Sequence, residues 1–159
     1  MNASDVMKYG DLTFQSSLKA IPTAQWETGG VCGWWSVKNI VAHLASYELV
    51  LVDVLTSVIG SAQTPQLAQY QSSRTFNDDQ VNQRQTKSPD DTLAEYRSAY
   101  EQTALLVLKI GPEKLREVGT IPWYGSEYAL DDYIAYAFYG HKREHSAQID
   151  VFKDKLKTP

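Results

Sequence analysis

The chain has 159 residues, of which 43% are hydrophobic and 21% charged, and it carries a net charge of −4 with a pI near 5.3. This size and composition suit one globular domain over residues 1–159 and exclude disordered and collagen-like chains. The acidic balance shows no basic stripe, which argues against a nucleic-acid-binding protein. The single cysteine, Cys32, allows no internal disulfide and fits a reducing compartment.

The N-terminal residues, MNASDVMKYGDLTF, have neither the basic region nor the apolar region of a signal peptide, so we expect a cytoplasmic protein. The most apolar run, Leu49 to Ile59, contains Asp53 and is too short to span a membrane. We therefore expect no membrane partner.

The first two helices are predicted from their end signals. The first runs from about Ala3 to Ala20, because the residue before Pro22 is disfavoured in a helix. A glycine-rich connection follows, and Ser36 is a suitable N-cap for a second helix that ends near Gly60. Apolar residues recur along this helix at three- and four-residue steps: Val37, Ile40, Val41, Leu44, Leu51, Leu55 and Val58.

The second half of the chain begins with a long polar connection over residues 61–87, with one helical turn expected near 66–70. Connections of this length are uncommon in compact domains and are often functional. Ser88 and Pro89 then start a third helix that ends near Ile110, and a short helical piece is expected over 113–117. The segment GTIPWYG is not helical, and a fourth helix begins near Ser126 or Leu130 and ends near Leu156. Since no segment alternates with period two, the pattern predicts an all-α four-helix bundle with long connections.

All three histidines are predicted to face the interior of this bundle. His141 and His145 are four residues apart in HKREH and therefore lie on one face of the fourth helix. We place them on the apolar stripe of that helix, and His43 on a stripe of the second helix. We therefore predict that the three imidazoles converge between these two helices.

Two explanations other than a shared ligand could account for the placement of the histidines. The spacing can arise by chance, and each histidine can be an ordinary core residue that bonds a tyrosine or a carbonyl. However, burying three imidazoles without a common purpose costs desolvation three times. A divalent metal removes that cost, because neutral imidazole is a preferred ligand of zinc, nickel, copper and iron. Three histidines also leave a coordination position open for water or substrate.

Two segments resemble a known family. The opening of the second helix, WSVKNIVAHLASYE, and the end of the fourth, GHKREHSAQIDVFKDKL, resemble signatures of the DinB-like (YfiT-like) metalloenzyme superfamily. The resemblance covers essentially the whole chain and implies an up-down-down-up four-helix bundle. It also implies a divalent metal, most often zinc or nickel, bound by His43, His141 and His145.

The resemblance further implies a class of reaction. Some relatives are transferases or isomerases that use a low-molecular-weight thiol, and others are metal-dependent hydrolases, so we expect a small-molecule substrate and a thiol as a second cofactor. Mycothiol-dependent isomerases carry a second domain, which we do not recognise in these 159 residues, so we expect a different reaction. The alternative is a non-catalytic stress-response or binding module that retains a structural metal. A helical interaction protein without a metal is a third possibility.

Further residues are candidates for the surroundings of the site. Tyr124 in the PWYG loop is the candidate catalytic proton donor, although for the aromatic residues as a set we favour core packing and loop anchoring. Glu48, Asp53 and Glu144 are close enough in sequence to orient the imidazoles, but we expect each to be a solvated charge. The wide apolar face in VLVDVLTSVI predicts a homodimer, and the resemblance implies the same, because members of the family commonly dimerise.

Overall fold

A computed structural model describes residues 2–60 and 63–157, and within those ranges the protein is helical, with one isolated β-bridge between Cys32 and Trp35. This confirms the all-α prediction. The helices are α1 (Ala3–Lys19), α2 (Val37–Val58), α3 (Pro65–Ser72), α4 (Phe76–Gln83), α5 (Pro89–Ile110), α6 (Pro112–Leu115), α7 (Leu130–Ile134) and α8 (Gly140–Leu156). A π-helical turn over Ala135–Tyr139 joins α7 and α8, so that the two form one long fourth helix.

The predicted caps hold the starts of α2 and α5. The Ser36 hydroxyl accepts a hydrogen bond from the backbone N–H of Asn39, and the Asn39 side chain accepts one from the N–H of Ser36. The Ser88 hydroxyl accepts from the N–H of Asp91, with Pro89 in the first turn. Both caps satisfy amide groups that the helix itself leaves without partners.

The connection between α2 and α5 is more ordered than predicted. The sequence indicated one helical turn, whereas the structure contains α3 and α4, and the short piece expected over 113–117 is α6. Few residues of these two helices are buried: Leu67 in α3, and Phe76, Gln80 and Val81 in α4. Such a sparse pattern does not produce a recognisable period, which is why the sequence did not predict α4.

The order of the helices accounts for the length of this connection. Gly10 lies against Tyr139 and Ser17 bonds Asp150, so α1 runs parallel to the fourth helix. Likewise, α2 and α5 pack closely and run parallel, because Val41 and Tyr96 belong to one apolar cluster, while Val54 and Val107, further along the two helices, belong to another. The chain must therefore return to the starting end of α2 before α5 begins. This is the up-down-down-up bundle that the resemblance implied.

The π-helical turn changes which face of the fourth helix is buried. The sequence predicted a stripe through Ala137 and His141 to Leu156, but the first two are half-buried and Leu156 is exposed. Phe138 and Lys142 are buried instead. The wider π turn shifts the phase of the residues that follow it, and as a result Lys142 points into the core while His141 lies at its edge.

The core divides into two apolar clusters. One includes Val54, Val107 and Phe138, and the other includes Phe14, Ile40 and Ile149. Buried polar residues lie between the two clusters on three of the long helices, with Glu48 on α2, Thr103 on α5, and Lys142 with His145 on α8. The candidate metal ligands therefore belong to a polar layer across the middle of the bundle.

The apolar character of α2 is used within the single chain. Val50, Leu51, Val54 and Leu55 are all buried in the bundle, so the segment that suggested a dimer does not present a spare face. The whole helix is long and apolar enough to cross a membrane by length and composition, with a mean hydropathy of 1.5, but 67% of that stretch is buried by the protein. Such burial is characteristic of a core helix.

Candidate metal centre

The three histidines come together between α2 and α8. His43 lies two turns into α2, and His141 and His145 lie on successive turns of α8. His43 and His145 are buried and His141 is half-buried. The convergence expected from the sequence is therefore present, with His141 nearer the surface than predicted.

All three rings direct the Nε2 atom at the same point. The Nε2 atom of His141 lies 2.8 Å from that of His43 and 2.9 Å from that of His145. One possible ligand atom from each of the three residues lies within 4.8 Å of the others. Each ring thus presents a nitrogen to a common centre.

Hydrogen bonding alone does not satisfy this arrangement. A neutral imidazole Nε2 carries either one hydrogen or one lone pair in the ring plane, so it makes one well-aligned hydrogen bond. His141 Nε2 is at hydrogen-bond distance from two other Nε2 atoms. A single cation, in contrast, accepts one lone pair from each ring. The donor set therefore fits a divalent metal ion.

The surroundings keep the three rings uncharged. Burial, together with the neighbouring His141 and His145, lowers the pKa of His43 to about 2. Burial and His145 lower the pKa of His141 to about 3. Burial also lowers the pKa of His145, while Gln148 and Glu144 act in the opposite direction. Neutral imidazole is the form that binds a metal, so the rings are ready for ligation at neutral pH.

Comparison with known protein families identifies the family of the chain. The model of the mycothiol maleylpyruvate isomerase N-terminal domain matches residues 13–123, which is more than half of the chain. The chain belongs to this family. The mycothiol maleylpyruvate isomerase N-terminal domain is a DinB/YfiT-like domain, which confirms the resemblance seen in the sequence. Searches of the curated proteins and of the solved structures found no match.

The matched region of this isomerase-domain family contains one of the three histidines. His43 lies within residues 13–123, whereas His141 and His145 lie beyond them. The geometry of α8 is therefore the evidence that joins these two residues to His43. The family match covers one candidate ligand, and the three-histidine cluster itself rests on the geometry.

Gln148 is the polar group that orients a histidine. The Nδ1 atom of His145 lies 2.8 Å from the Gln148 side-chain oxygen, so Nδ1 donates and Nε2 keeps its lone pair for the centre. The Nδ1 atom of His43 is buried and has no hydrogen-bond partner among the residues that the structure describes. From the sequence we considered carboxylates, not Gln148, as the groups that orient the imidazoles. The spacing of Gln148, three residues after His145 on the same helix, was the signal that pointed to it.

Two of the three carboxylates considered from the sequence have structural partners instead. Glu48, expected to be solvated, is 1% exposed and forms a 2.6 Å ion pair with Lys142. Asp53, also expected to be solvated, is buried and accepts the backbone N–H groups of Gln66 and Leu67 at the start of α3. Both expectations were wrong. An amphipathic pattern assigns charged residues to solvent, but these two carboxylates are buried because they have an ion-pair or hydrogen-bond partner inside the protein. Glu144 is exposed, as expected.

Aromatic rings enclose the histidines on two sides. The Trp35 ring centre lies 4.8 Å from that of His43, and Tyr47 lies 4.7 Å from His43 and 4.6 Å from His141. The Tyr47 hydroxyl donates to the side chain of Asn77 on α4, so the long connection does reach the site. Burial and Tyr70 raise the pKa of Tyr47 to about 12, against the opposite effect of the hydrogen bond to Asn77. Tyr47 therefore remains a neutral phenol at the edge of the site.

The candidate proton donor Tyr124 lies further along an aromatic cluster. Its ring packs against Trp123, Tyr128 and Tyr133, whereas the tyrosine in ring contact with the histidines is Tyr47. The stripe position of Tyr47, four residues after His43, was the signal in the sequence that pointed to it. Tyr124 remains a prediction.

A cavity of about 330 Å³ opens beside the half-buried histidine. His141 forms one of its walls, and Tyr47, Tyr70, Tyr136 and Glu144 contribute others. Ala137 and Gly140 complete the lining and leave room between the rings. A small molecule in this cavity would therefore lie against His141.

Proposed function

We propose that this protein is a divalent-metal-dependent enzyme whose metal is bound by His43, His141 and His145. The observation that carries the proposal is the convergence of the three Nε2 atoms, which hydrogen bonding does not satisfy. Closed structural zinc sites usually have four protein ligands, whereas catalytic sites have three and keep a position for water or substrate. A three-histidine set beside a cavity supports the catalytic arrangement.

The reaction that we propose is a thiol-dependent S-transfer or a hydrolysis on a small molecule, with zinc or nickel as the metal. Family membership supports the thiol branch, because the family description names mycothiol. A bound divalent cation lowers the pKa of a coordinated thiol or water and so supplies a nucleophile at neutral pH. This chain contributes three neutral donors, the aromatic walls of Trp35 and Tyr47, and a cavity for the substrate.

We further propose that the protein acts in the cytoplasm and forms a homodimer. One half-buried cysteine without a disulfide fits a reducing compartment. On α5, the exposed side chains of Leu105 and Leu108 offer an apolar surface to a second copy. Light scattering at tens of micromolar protein is expected to give twice the mass of the chain, and a monomer would contradict the dimer.

The proposed function is tested with untagged protein that has been stripped by a chelator and loaded with Co²⁺. We expect one Co²⁺ per chain, and the addition of 2-mercaptoethanol should produce a sulfur-to-metal charge-transfer band. Activity against a panel of thiol and electrophile pairs and of esters should disappear on chelation and return with the metal. The His145→Ala variant should lose both the band and the activity, while Glu101→Gln, on the exposed side of α5, serves as the control.

A closed metal site would show a different result. If Co²⁺ binds but its spectrum does not respond to thiols or to small anions, there is no open position. The protein would then be a binding or stress-response module with a structural metal. Failure of the chain to bind Co²⁺ or Zn²⁺ would contradict the metal site itself.

A further inference from the structure

The cavity beside His141 has an unusual combination of walls. Three tyrosines, Tyr47, Tyr70 and Tyr136, line it together with Glu144. A ring face carries partial negative charge and attracts cations, and a carboxylate does so more strongly. Within the part of the chain that the structure describes, no lysine or arginine belongs to this lining.

The basic residues nearest in sequence are occupied elsewhere. Lys142 is 2% exposed and is paired with Glu48 inside the bundle. The guanidinium of Arg143 lies over the ring of Tyr139, 5.6 Å from its centre. The carboxylate of Glu144 is therefore not neutralised by its own helix and remains available to a ligand in the cavity.

We propose that this cavity binds an ammonium group of the substrate, so that the small molecule is a thiol or a thiol acceptor bearing an amine. The inference rests on the proposed function, since it assigns the part of the substrate that does not react. Glu144 would pair with the ammonium group, and the tyrosine side chains would lie beside it. A carboxylate in the same place would face the like charge of Glu144, which repels it.

The size of the cavity agrees with a small amine. Its volume of about 330 Å³ lies at the lower end of the range for small-molecule sites. Because His141 is one of its walls, a ligand bound here lies directly beside the metal centre. A short chain between the sulfur and the amine is therefore sufficient to reach both groups.

The test uses the Co²⁺-loaded full chain and three thiols of similar length but different charge: cysteamine, 2-mercaptoethanol and 3-mercaptopropionate. The dissociation constant of each is measured from the charge-transfer band for the wild type, Glu144→Gln and the control Glu101→Gln. Because each thiol is compared with itself across the variants, differences in thiol pKa cancel. Metal affinity is measured in parallel for all three proteins.

We expect Glu144→Gln to weaken cysteamine binding by roughly threefold to tenfold. The same change should leave 2-mercaptoethanol binding unaltered and should strengthen 3-mercaptopropionate binding, and Glu101→Gln should alter none of them. Equal shifts for all three thiols, or no shift for cysteamine, would overturn the inference while the thiol function stands. If none of the thiols binds the wild type, the thiol function fails and the inference fails with it.

Discussion

Two polar clusters occupy the middle of the bundle, and they differ in how their groups are satisfied. The buried ion-pair cluster consists of Lys142, Glu48 and Thr103, where one Glu48 oxygen binds Lys142 at 2.6 Å and the other accepts the Thr103 hydroxyl at 3.0 Å. The Lys142 ammonium also lies over the Tyr100 ring, 4.7 Å from its centre. In the histidine cluster, by contrast, three bases share one centre without an acid or a sufficient set of donors.

Helices α2 and α8 contribute to both clusters, and α5 adds Thr103 to the ion-pair cluster. His141 and Lys142 are consecutive on α8, as are Tyr47 and Glu48 on α2, and consecutive helical residues point about 100° apart. One side of each helix therefore contributes to a satisfied network and the other to an unsatisfied one. Buried polar groups are normally fully bonded, so the histidine cluster indicates a ligand that the three rings are placed to bind.

The largest loss of stability is expected when the buried ion-pair cluster is broken. Lys142→Met leaves Glu48 buried and unpaired, and the free energy of unfolding should fall by about 3 to 5 kcal/mol. Adding Glu48→Leu should recover most of this loss, because a buried ion pair contributes little beyond apolar packing. Urea denaturation followed by circular dichroism measures both variants. The exposed pair Lys114 and Glu117 is the control, and a Lys142→Met effect as small as that of Lys114→Met would contradict the assignment.

Removal of a histidine should affect metal binding more than folding. We expect His145→Ala to weaken Zn²⁺ binding by about two orders of magnitude, since each ligand contributes about 3 kcal/mol. The helical signal should persist without metal, because the apolar clusters supply most of the burial. Calorimetric titration measures the affinity and circular dichroism the fold. A collapse of the helical signal on chelation would indicate a structural metal and remove the main support for an enzyme.

The stability of the metal-free protein should fall on acidification. The folded pKa values of His43 and His141, about 2 and about 3, lie below the usual histidine value of 6.5. The unfolded chain therefore takes up more protons as the pH falls below about 6.5, and stability decreases there while remaining flat above it. Between pH 7 and 5.5 we expect a loss of about 1 to 3 kcal/mol. Denaturation in the presence of a chelator measures it, and a curve as steep in His43→Gln would refute this origin.

The smallest loss of stability is expected for a polar group that belongs to neither cluster. Asp53 accepts the N–H groups of Gln66 and Leu67 at 2.6 and 3.0 Å and so caps α3 from α2. Asp53→Ala should lower the free energy of unfolding by about 1 to 2 kcal/mol and leave Zn²⁺ affinity unchanged. Asp53→Asn, which keeps an acceptor, should recover part of the loss. A change in Zn²⁺ affinity would mean that α3 contributes to the site.

The sequence predicted those features that local chemistry determines. Ser36 and Ser88 mark the helix starts because their hydroxyls cap them, and the spacing of His141 and His145 follows from helix geometry alone. The π-helical turn was not predictable, since it has no simple sequence signal, and it determines that Lys142 is buried and His141 is at the edge. The partners of Glu48 and Asp53 depend on tertiary packing, which no local pattern contains.

The central claim is that one metal ion is bound by three imidazoles. X-ray absorption spectroscopy of untagged protein loaded with one equivalent of Zn²⁺ tests it most directly. We predict three imidazole nitrogens at about 2.0–2.1 Å and a further ligand that changes from oxygen to sulfur when 2-mercaptoethanol is added. A shell with fewer than three imidazoles would contradict the central claim, and a shell that does not change on addition of the thiol would contradict the thiol-dependent reaction.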